Sequence, residues 1–179
     1  MIDEKALIKQ LGDPSTKEAA FTQLVREYQE PLYWQIRRMV LVHDDADDVL
    51  QNTFIKAWSA IDSFRGESRL QTWLFRIAIN ESLNHLSKKK QTFSLDQTEG
   101  GVADMLASDS YFDGDEVQRQ FQAAINTLPE KQRLVFNLKY FDEMKYEDMS
   151  DMLATSIGAL KASYHHAVRK IFAFFEDND

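Results

Sequence analysis

The stretch Phe64–Asn80, FRGESRLQTWLFRIAIN, decides how the chain is read. Its first half is a tight polar loop with one glycine and two arginines, Arg65 and Arg69. Its second half is an amphipathic helix carrying Trp73 and Arg76. Leu70, Trp73, Leu74 and Ile77 recur at i, i+3, i+4 and i+7, the spacing of a helix that buries one stripe. A core stripe accounts for most of those side chains but not for Arg65, Arg69 and Arg76 gathered at one end. Cations beside an aromatic, on a short loop and a rigid helix, suit single-stranded nucleic acid. Phosphates are drawn to the arginines and unstacked bases to aromatic faces.

The pattern on either side is helical as well. Phe21, Leu24, Val25, Tyr28, Leu32 and Ile36 predict a helix over 17–41, with Pro31 placed to kink it or break it in two. After a polar break at His43–Asp45, a helix is expected over about Asp47–Ile61, with Leu50, Phe54, Ala57, Trp58 and Ile61 on its apolar face. The helix that begins at Leu70 is expected to reach about Leu86 and to end in three lysines, which favour the negative end of the helix dipole. Residues 91–115 lose periodicity and gather Gly, Ser and Asp, as a linker does. Val117, Phe121, Ala124, Ile125 and Leu128 then mark a further helix. Pro129 opens the next, over 129–141, from the favoured first-turn position.

Tyr146–Lys170 reads as a helix-turn-helix. Its first helix, Tyr146–Leu153, places Met149 and Leu153 on one face, with small Ser150 where two helices must approach. Ala154-Thr155-Ser156 forms the turn, and Ser156 can cap the next helix. That helix turns Ile157, Leu160, Tyr164, Ala167 and Ile171 inward and Lys161, His165, His166 and Arg169 outward. A second helix across a short turn is the geometry that enters a major groove. A plain helical hairpin gives the same pattern.

Composition bounds the function. The 179 residues are 44% hydrophobic, with 6 glycines and 3 prolines, enough apolar content for one large or two small helical domains. There is no apolar run of membrane-spanning length and no signal-peptide pattern at the start. The absence of cysteine rules out disulfides and thiolate metal sites and fits a cytoplasmic setting. The net charge of −8 argues against a generic nucleic-acid binder, so its distribution matters. Residues 1–90 carry 13 basic and 13 acidic side chains, residues 91–127 carry 1 and 7, and residues 128–179 carry 7 and 9. The excess acid lies mostly in the middle. Arg65, Arg69, Arg76, Lys88, Lys89 and Lys90 against Glu67 and Glu81 give a local balance of +4. A local basic patch on an acidic protein suits a binder that needs little DNA affinity of its own.

These motifs together resemble the extracytoplasmic-function (ECF, group IV) sigma factors, the small bacterial subunits that direct RNA polymerase to promoters. DDADDVLQNTFIKAW (44–58) is similar to that family's polymerase-docking helix, and FRGESRLQTWLFRIAIN to its promoter-melting segment. LPEKQRLVFNLKYFDEMKYEDMSDML with IGALKASYHHAVRKI is similar to its module that reads the minus-thirty-five element. The resemblance implies an all-α protein of two small helical domains, 1–90 and 116–179, joined by an acidic flexible linker, 91–115, with the helix-turn-helix in the second.

It also implies residue roles. Asp48, Gln51 and Asn52 would face the coiled coil of the polymerase's largest subunit; Asn52 stands where the family often has Glu. The loop Arg65–Leu70, including Ser68 and Arg69, would receive a flipped base of the minus-ten strand. Asn80 would meet a base edge, and Lys56 and Arg76 phosphates, while Trp73 serves either as core or as a stacking platform. For the minus-thirty-five duplex, Lys161, Ala162, His165 and His166 would face bases, and Ser163 and Arg169 phosphates. Arginine is common in the family where Ser163 and His166 stand, glycine where Ala154 stands, and serine where Lys145 stands. The partners implied are core RNA polymerase, promoter DNA and an anti-sigma factor, in the bacterial cytoplasm, with no cofactor, metal or small-molecule substrate. The genes served would be a stress or envelope-signal regulon. The linker, about 80–90 Å if fully extended, would thread the polymerase cleft, or act only as a solubilising spacer.

Two rival classes remain at this point. His43-Asp44 is the dipeptide of metal-dependent phosphohydrolases, but only His85, His165 and His166 are left to complete a site. A stand-alone helix-turn-helix transcriptional regulator would explain residues 146–170 and leave the first module without a role.

Overall fold

The computed structural model describes residues 3–93 and 116–178, and these residues contain helices and no strand. They fall into two compact units, each with its own core. The first unit holds α1 (Glu4–Leu11), α2 (Lys17–Val40), α3 (His43–Ala60), a 3-10 turn at Ile61–Ser63, and α4 (Leu70–Phe93). The second holds α5 (Glu116–Asn126), α6 (Glu130–Tyr140), α7 (Tyr146–Leu153) and α8 (Ile157–Asn178). Most of the expected linker, from residue 94 onward, lies outside the described residues.

In the first unit α2, α3 and α4 pack on one another, and α1 packs on α2. Leu24, Leu32 and Ile36 of α2 and Leu70, Leu74 and Ile79 of α4 are fully buried. Each such side chain contributes about 1.5–3 kcal/mol by leaving water. That total explains why α2 runs through Pro31 as one helix rather than breaking there. The proline removes one hydrogen bond and costs about 3 kcal/mol, while the residues on both sides of it are held in the same core. Helix α1 was missed by the helical periodicity because it is short. Its signals were present: Asp3 accepts hydrogen bonds from the Lys5 and Ala6 amides, Leu7 and Leu11 are buried, and Gly12 follows the last turn.

Helix α3 starts at His43, about a turn earlier than expected, with Asp44 and Asp45 in its first turn where the dipole favours acid. Its buried stripe is Ala46, Val49, Thr53 and Ala57. Of the expected face, Ala57 and Ile61 are buried, Leu50 and Phe54 are half-buried and Trp58 is exposed, so the buried stripe is rotated from the expected one toward its small residues. Small side chains let α3 approach α2 and α4 closely, and the Thr53 hydroxyl donates to the Val49 carbonyl at 2.7 Å. The large residues move to the flank, where the Phe21 ring lies 4.9 Å from Trp58 and 6.5 Å from Phe54. Lys17 Nζ sits 4.8 Å over the Trp58 ring and pairs with Asp62 at 2.7 Å.

Helix α4 extends to Phe93, well past Leu86 and past the expected domain boundary at residue 90. Lys88 and Lys89 are therefore interior residues of a helix, not its end. Asp45 explains part of this extension, since its carboxylate lies 2.6 Å from Lys89 Nζ and 3.2 Å from His85 Nε2. Those contacts tie the start of α3 to the far half of α4.

In the second unit Ala124, Ile125, Leu128, Phe136, Ala167 and Ile171 form the core, with Phe121, Tyr164 and Phe175 packed against it. The Phe136 ring stacks on Tyr140 at 5.2 Å and on Tyr164 at 5.7 Å. Pro129 takes the cap position of α6, one residue before the first-turn place expected for it. Val117, expected on the apolar face of α5, is 62% exposed. The turn between α7 and α8 is as expected: Ser156 Oγ accepts from the Ala159 amide at 3.2 Å. Lys145 caps α7 with no side-chain hydrogen bond.

Ala154 has φ 48° and ψ 43°, the left-handed conformation that ends α7. A left-handed alanine is strained by about 1–2 kcal/mol, and glycine removes that strain at some cost in unfolded-state entropy. Ala154→Gly should therefore stabilise the second unit by about 0.5–1 kcal/mol. Denaturant melts of the full chain would show this as a later transition, and an unchanged or earlier one would contradict the strain.

Candidate nucleic-acid and polymerase interface

The rotation of α4 decides what its outer face presents. Leu70, Leu74, Phe75, Ala78, Ile79 and Ser82 are buried on one side. At 100° per residue, Arg69, Trp73, Arg76 and Asn80 fall within a sector about 60° wide on the opposite side. Arg69, Arg76 and Asn80 are exposed, and Trp73 is half-buried. The Trp73 ring lies 5.2 Å from Phe64 at an interplanar angle of 48°, so one aromatic edge joins loop and helix. Trp73 thus belongs partly to the packing and partly to the surface.

The loop before α4 is exposed from Arg65 to Arg69. Gly66 has φ +71°, a conformation that a side chain would strain. The Ser68 hydroxyl is turned to the Arg69 carbonyl at 3.4 Å, and that carbonyl accepts from the Trp73 amide at 3.1 Å. The Leu70 amide, one of the donors a helix start leaves unpaired, donates to Glu4 Oε1 of α1 at 2.7 Å.

The expected basic concentration divides in two. With a rise of 1.5 Å per residue, Lys88–Lys90 stand about 28 Å along α4 from Leu70, and Lys89 is paired with Asp45. Arg65, Arg69 and Arg76 remain together at the loop end. Lys56 on α3 is 56% exposed but forms an ion pair with Glu81 of α4, and Asn84 Nδ2 also approaches Glu81 at 3.4 Å. The structure therefore joins Lys56 to a carboxylate on the flank of the α4 surface.

On α3, Asp48, Gln51 and Asn52 are all exposed and lie opposite the buried stripe. Ile55, 58% exposed, shares that face. A single exposed apolar side chain is common on protein surfaces, and the periodicity gave no reason to single out Ile55.

On α8, Ala162, His165, His166 and Arg169 form a stripe at i, i+3, i+4 and i+7, and all are exposed. Lys161 flanks it and lies 5.7 Å from the Tyr146 ring centroid, an aromatic that Lys139 also approaches at 5.0 Å. Burial raises the Tyr146 phenol above its usual range, with a smaller contribution from Tyr164. Ser163 is half-buried at the edge of the packed face, so it reaches outward less than its neighbours. The His165 and His166 rings are 6.2 Å apart and tilted at 58°. Among the described residues no group of three or more His, Cys, Asp or Glu could hold a metal.

Comparison with known proteins bears on the whole chain. Residues 24–92 match the Sigma-70 region 2 model and residues 118–171 the Sigma-70 region 4 model. The chain is 33% identical over 181 residues to the ECF RNA polymerase sigma factor SigW of Bacillus subtilis, covering 93% of this chain and 95% of that protein. It is 34% identical over 158 residues to the RNA polymerase sigma-H factor of Pseudomonas aeruginosa, covering 83% and 82%. Among solved structures, the sigma factor RpoE of Bartonella quintana has the same fold, with a TM-score of 0.71 at 24% identity over 87% of this chain and 96% of that one. CnrH is also similar in fold, with a TM-score of 0.71 at 22% identity over 98% and 99%. With both region models in order and a sigma factor matched along nearly its whole length, the chain belongs to the sigma-70 family of RNA polymerase sigma factors, non-enzymatic proteins of transcription initiation.

Proposed function

We propose that the chain is an ECF, group IV, sigma factor that docks on core RNA polymerase through α3 and captures the minus-ten strand at the loop end of α4. It reads the minus-thirty-five duplex with α8. The observation that carries this reading is the single outward sector of Arg69, Trp73, Arg76 and Asn80 beside the exposed Arg65–Arg69 loop. Cations, an aromatic edge and an amide on one rigid face supply phosphate contact, stacking and base-edge recognition together. Ser68 and Arg69 line the pocket for a flipped base, whose extraction costs a few kcal/mol. The assembled polymerase complex must offset that cost, since this surface is small.

Asp48, Gln51 and Asn52, with Ile55 between them, form the polymerase-docking face. On α8, Lys161, Ala162, His165 and His166 face bases, with Arg169 and Ser163 toward phosphates. The domain plan is a minus-ten unit over 1–90, a tether over 91–115 and a minus-thirty-five unit over 116–179. Because α4 runs to Phe93, the first part of that tether is helical. The described residues contain no helix long and apolar enough to cross a membrane, in keeping with work beside polymerase in the cytoplasm. An anti-sigma factor is the remaining partner: the RpoE structure contains the anti-sigma factor NepR, and the CnrH structure the cytosolic domain of CnrY. The genes served are those of a stress or envelope-signal response.

Asn80→Ala should lower open-complex formation on a cognate promoter by about tenfold while core binding is unchanged, as loss of one base-edge contact predicts. Permanganate footprinting reads the first and gel filtration with core the second; unchanged promoter opening would remove Asn80 from the site. His166→Ala should cost about 1–3 kcal/mol on the cognate minus-thirty-five site and much less on an unrelated one. Equal losses on both would assign His166 to the backbone.

Glu81→Gln releases Lys56 from its ion pair. Binding of the minus-ten single strand by the reconstituted holoenzyme should then steepen in its log–log salt dependence by about 0.7, one single-strand phosphate. An unchanged slope would leave Lys56 as a purely structural partner of Glu81.

A further inference from the structure

The hydrogen bond between Glu4 and Leu70 joins an element outside the matched region 2 segment to the first residue of the helix that bears the base-capture surface. A helix start normally relies on a side chain just before it to accept from its first free amides. Here the preceding residue is Arg69, which has no acceptor in its side chain, and the Ser68 hydroxyl points its proton at the Arg69 carbonyl while the Leu70 amide goes to Glu4. The acceptor comes instead from 66 residues away in sequence, at 2.7 Å and in a part-buried setting. A carboxylate on a backbone N–H at a helix N-terminus gains both from the charge-assisted bond and from the helix dipole.

Glu4 is itself held in place. Asp3 caps α1 through the Lys5 and Ala6 amides, and Leu7 and Leu11 are buried. Its charge, after burial, helps raise the Tyr28 phenol on α2. The loop it faces has few internal restraints: Arg65–Arg69 are exposed, and Gly66 needs a left-handed turn with nothing within 4 Å of the position of a Cβ. An exposed loop with a glycine at its bend takes its shape from its ends. At one end Phe64 rests on Trp73, and at the other Leu70 is fixed by Glu4.

The geometry points to Glu4 as a positioning residue: through the Leu70 amide, α1 clamps the end of the Arg65–Arg69 loop in the shape that takes a flipped base. This rests on the reading of that loop as the base-capture site. Glu4 makes no contact with the base; it acts through the backbone of Leu70. The alternative chemistry is that the Glu4 carboxylate occupies an anion site that a DNA phosphate would otherwise take. The short part-buried bond and the fixed α1 favour the clamp.

Two measurements on the full chain separate the possibilities. Amide exchange of free wild type, Glu4→Ala and Glu4→Gln reads the clamp without DNA, with thermal melting as the folding control. Holoenzyme made with core polymerase is then titrated with the minus-ten single strand, each base replaced in turn by an abasic site. Glu4→Ala should speed Leu70 exchange by about tenfold. It should also flatten by about tenfold the penalty seen in wild type at the captured base, with core binding little changed and melting lowered only by the several degrees that loss of one helix cap predicts. Glu4→Gln, which keeps an oxygen acceptor but no charge, should fall between.

Unchanged Leu70 exchange overturns the clamp. Faster exchange with an unaltered abasic profile overturns its role in base capture. Tighter binding of every strand by Glu4→Ala overturns it in favour of an anion site that DNA competes for. If wild-type holoenzyme shows no position-specific penalty, the base-capture reading fails, and the positioning role fails with it whatever the exchange rates show.

Discussion

The first unit depends on how α4 is rotated. A helix has one side to give to a core, and here Leu70, Leu74, Phe75, Ala78 and Ile79 take it. Once those side chains are buried, the positions of Arg69, Trp73, Arg76 and Asn80 follow from 3.6 residues per turn. No separate device is needed to aim them. The same constraint acts on α3, where Ala46, Val49, Thr53 and Ala57 turn inward and Asp48, Gln51, Asn52 and Ile55 turn outward. Packing and the proposed binding faces occupy opposite sides of the same helices, so a change in one side chain of the core would be felt on the outer face.

Charge is arranged around that scaffold rather than spread over it. The chain is acidic as a whole, with a net charge of −8, and several of its cations already have acidic partners. Lys17 pairs with Asp62, Lys56 with Glu81, and Lys89 with Asp45. The cations at the loop end are three, Arg65, Arg69 and Arg76. On α8 two histidines stand beside Lys161 and Arg169 on the outward stripe. If both surfaces meet DNA as proposed, their few cations give little affinity alone, because affinity for the backbone grows with each phosphate neutralised. On the proposed reading, core polymerase brings the DNA to these surfaces.

Much of this was legible in the sequence. The amphipathic spacing at Leu70, Leu74 and Ile77 and the helix-turn-helix at 146–170 gave the helical class and the two-module plan. Ala154 in a left-handed turn, the Ser156 cap and the outward face of α8 were also readable, because caps and turns are local. What was not legible depends on contacts distant in sequence. The expected apolar face of α3 was right at Ala57 and Ile61 and wrong at Trp58, because large apolar residues were assumed to point inward, whereas close helix packing takes the small ones. The continuity of α2 through Pro31 and the length of α4 come from tertiary burial and from Asp45. The pairing of Lys56 with Glu81 and the capping of Leu70 by Glu4 link helices, and no window of sequence contains both partners.

Transcription reconstituted from purified parts is the decisive measurement for this protein. Core RNA polymerase is given genomic DNA fragments with and without the protein, and run-off products are mapped. Discrete start sites should appear only when the protein is present, each preceded by shared minus-ten and minus-thirty-five elements. Products identical with and without the protein, together with specific duplex binding by the protein alone, would contradict it and favour a stand-alone helix-turn-helix regulator.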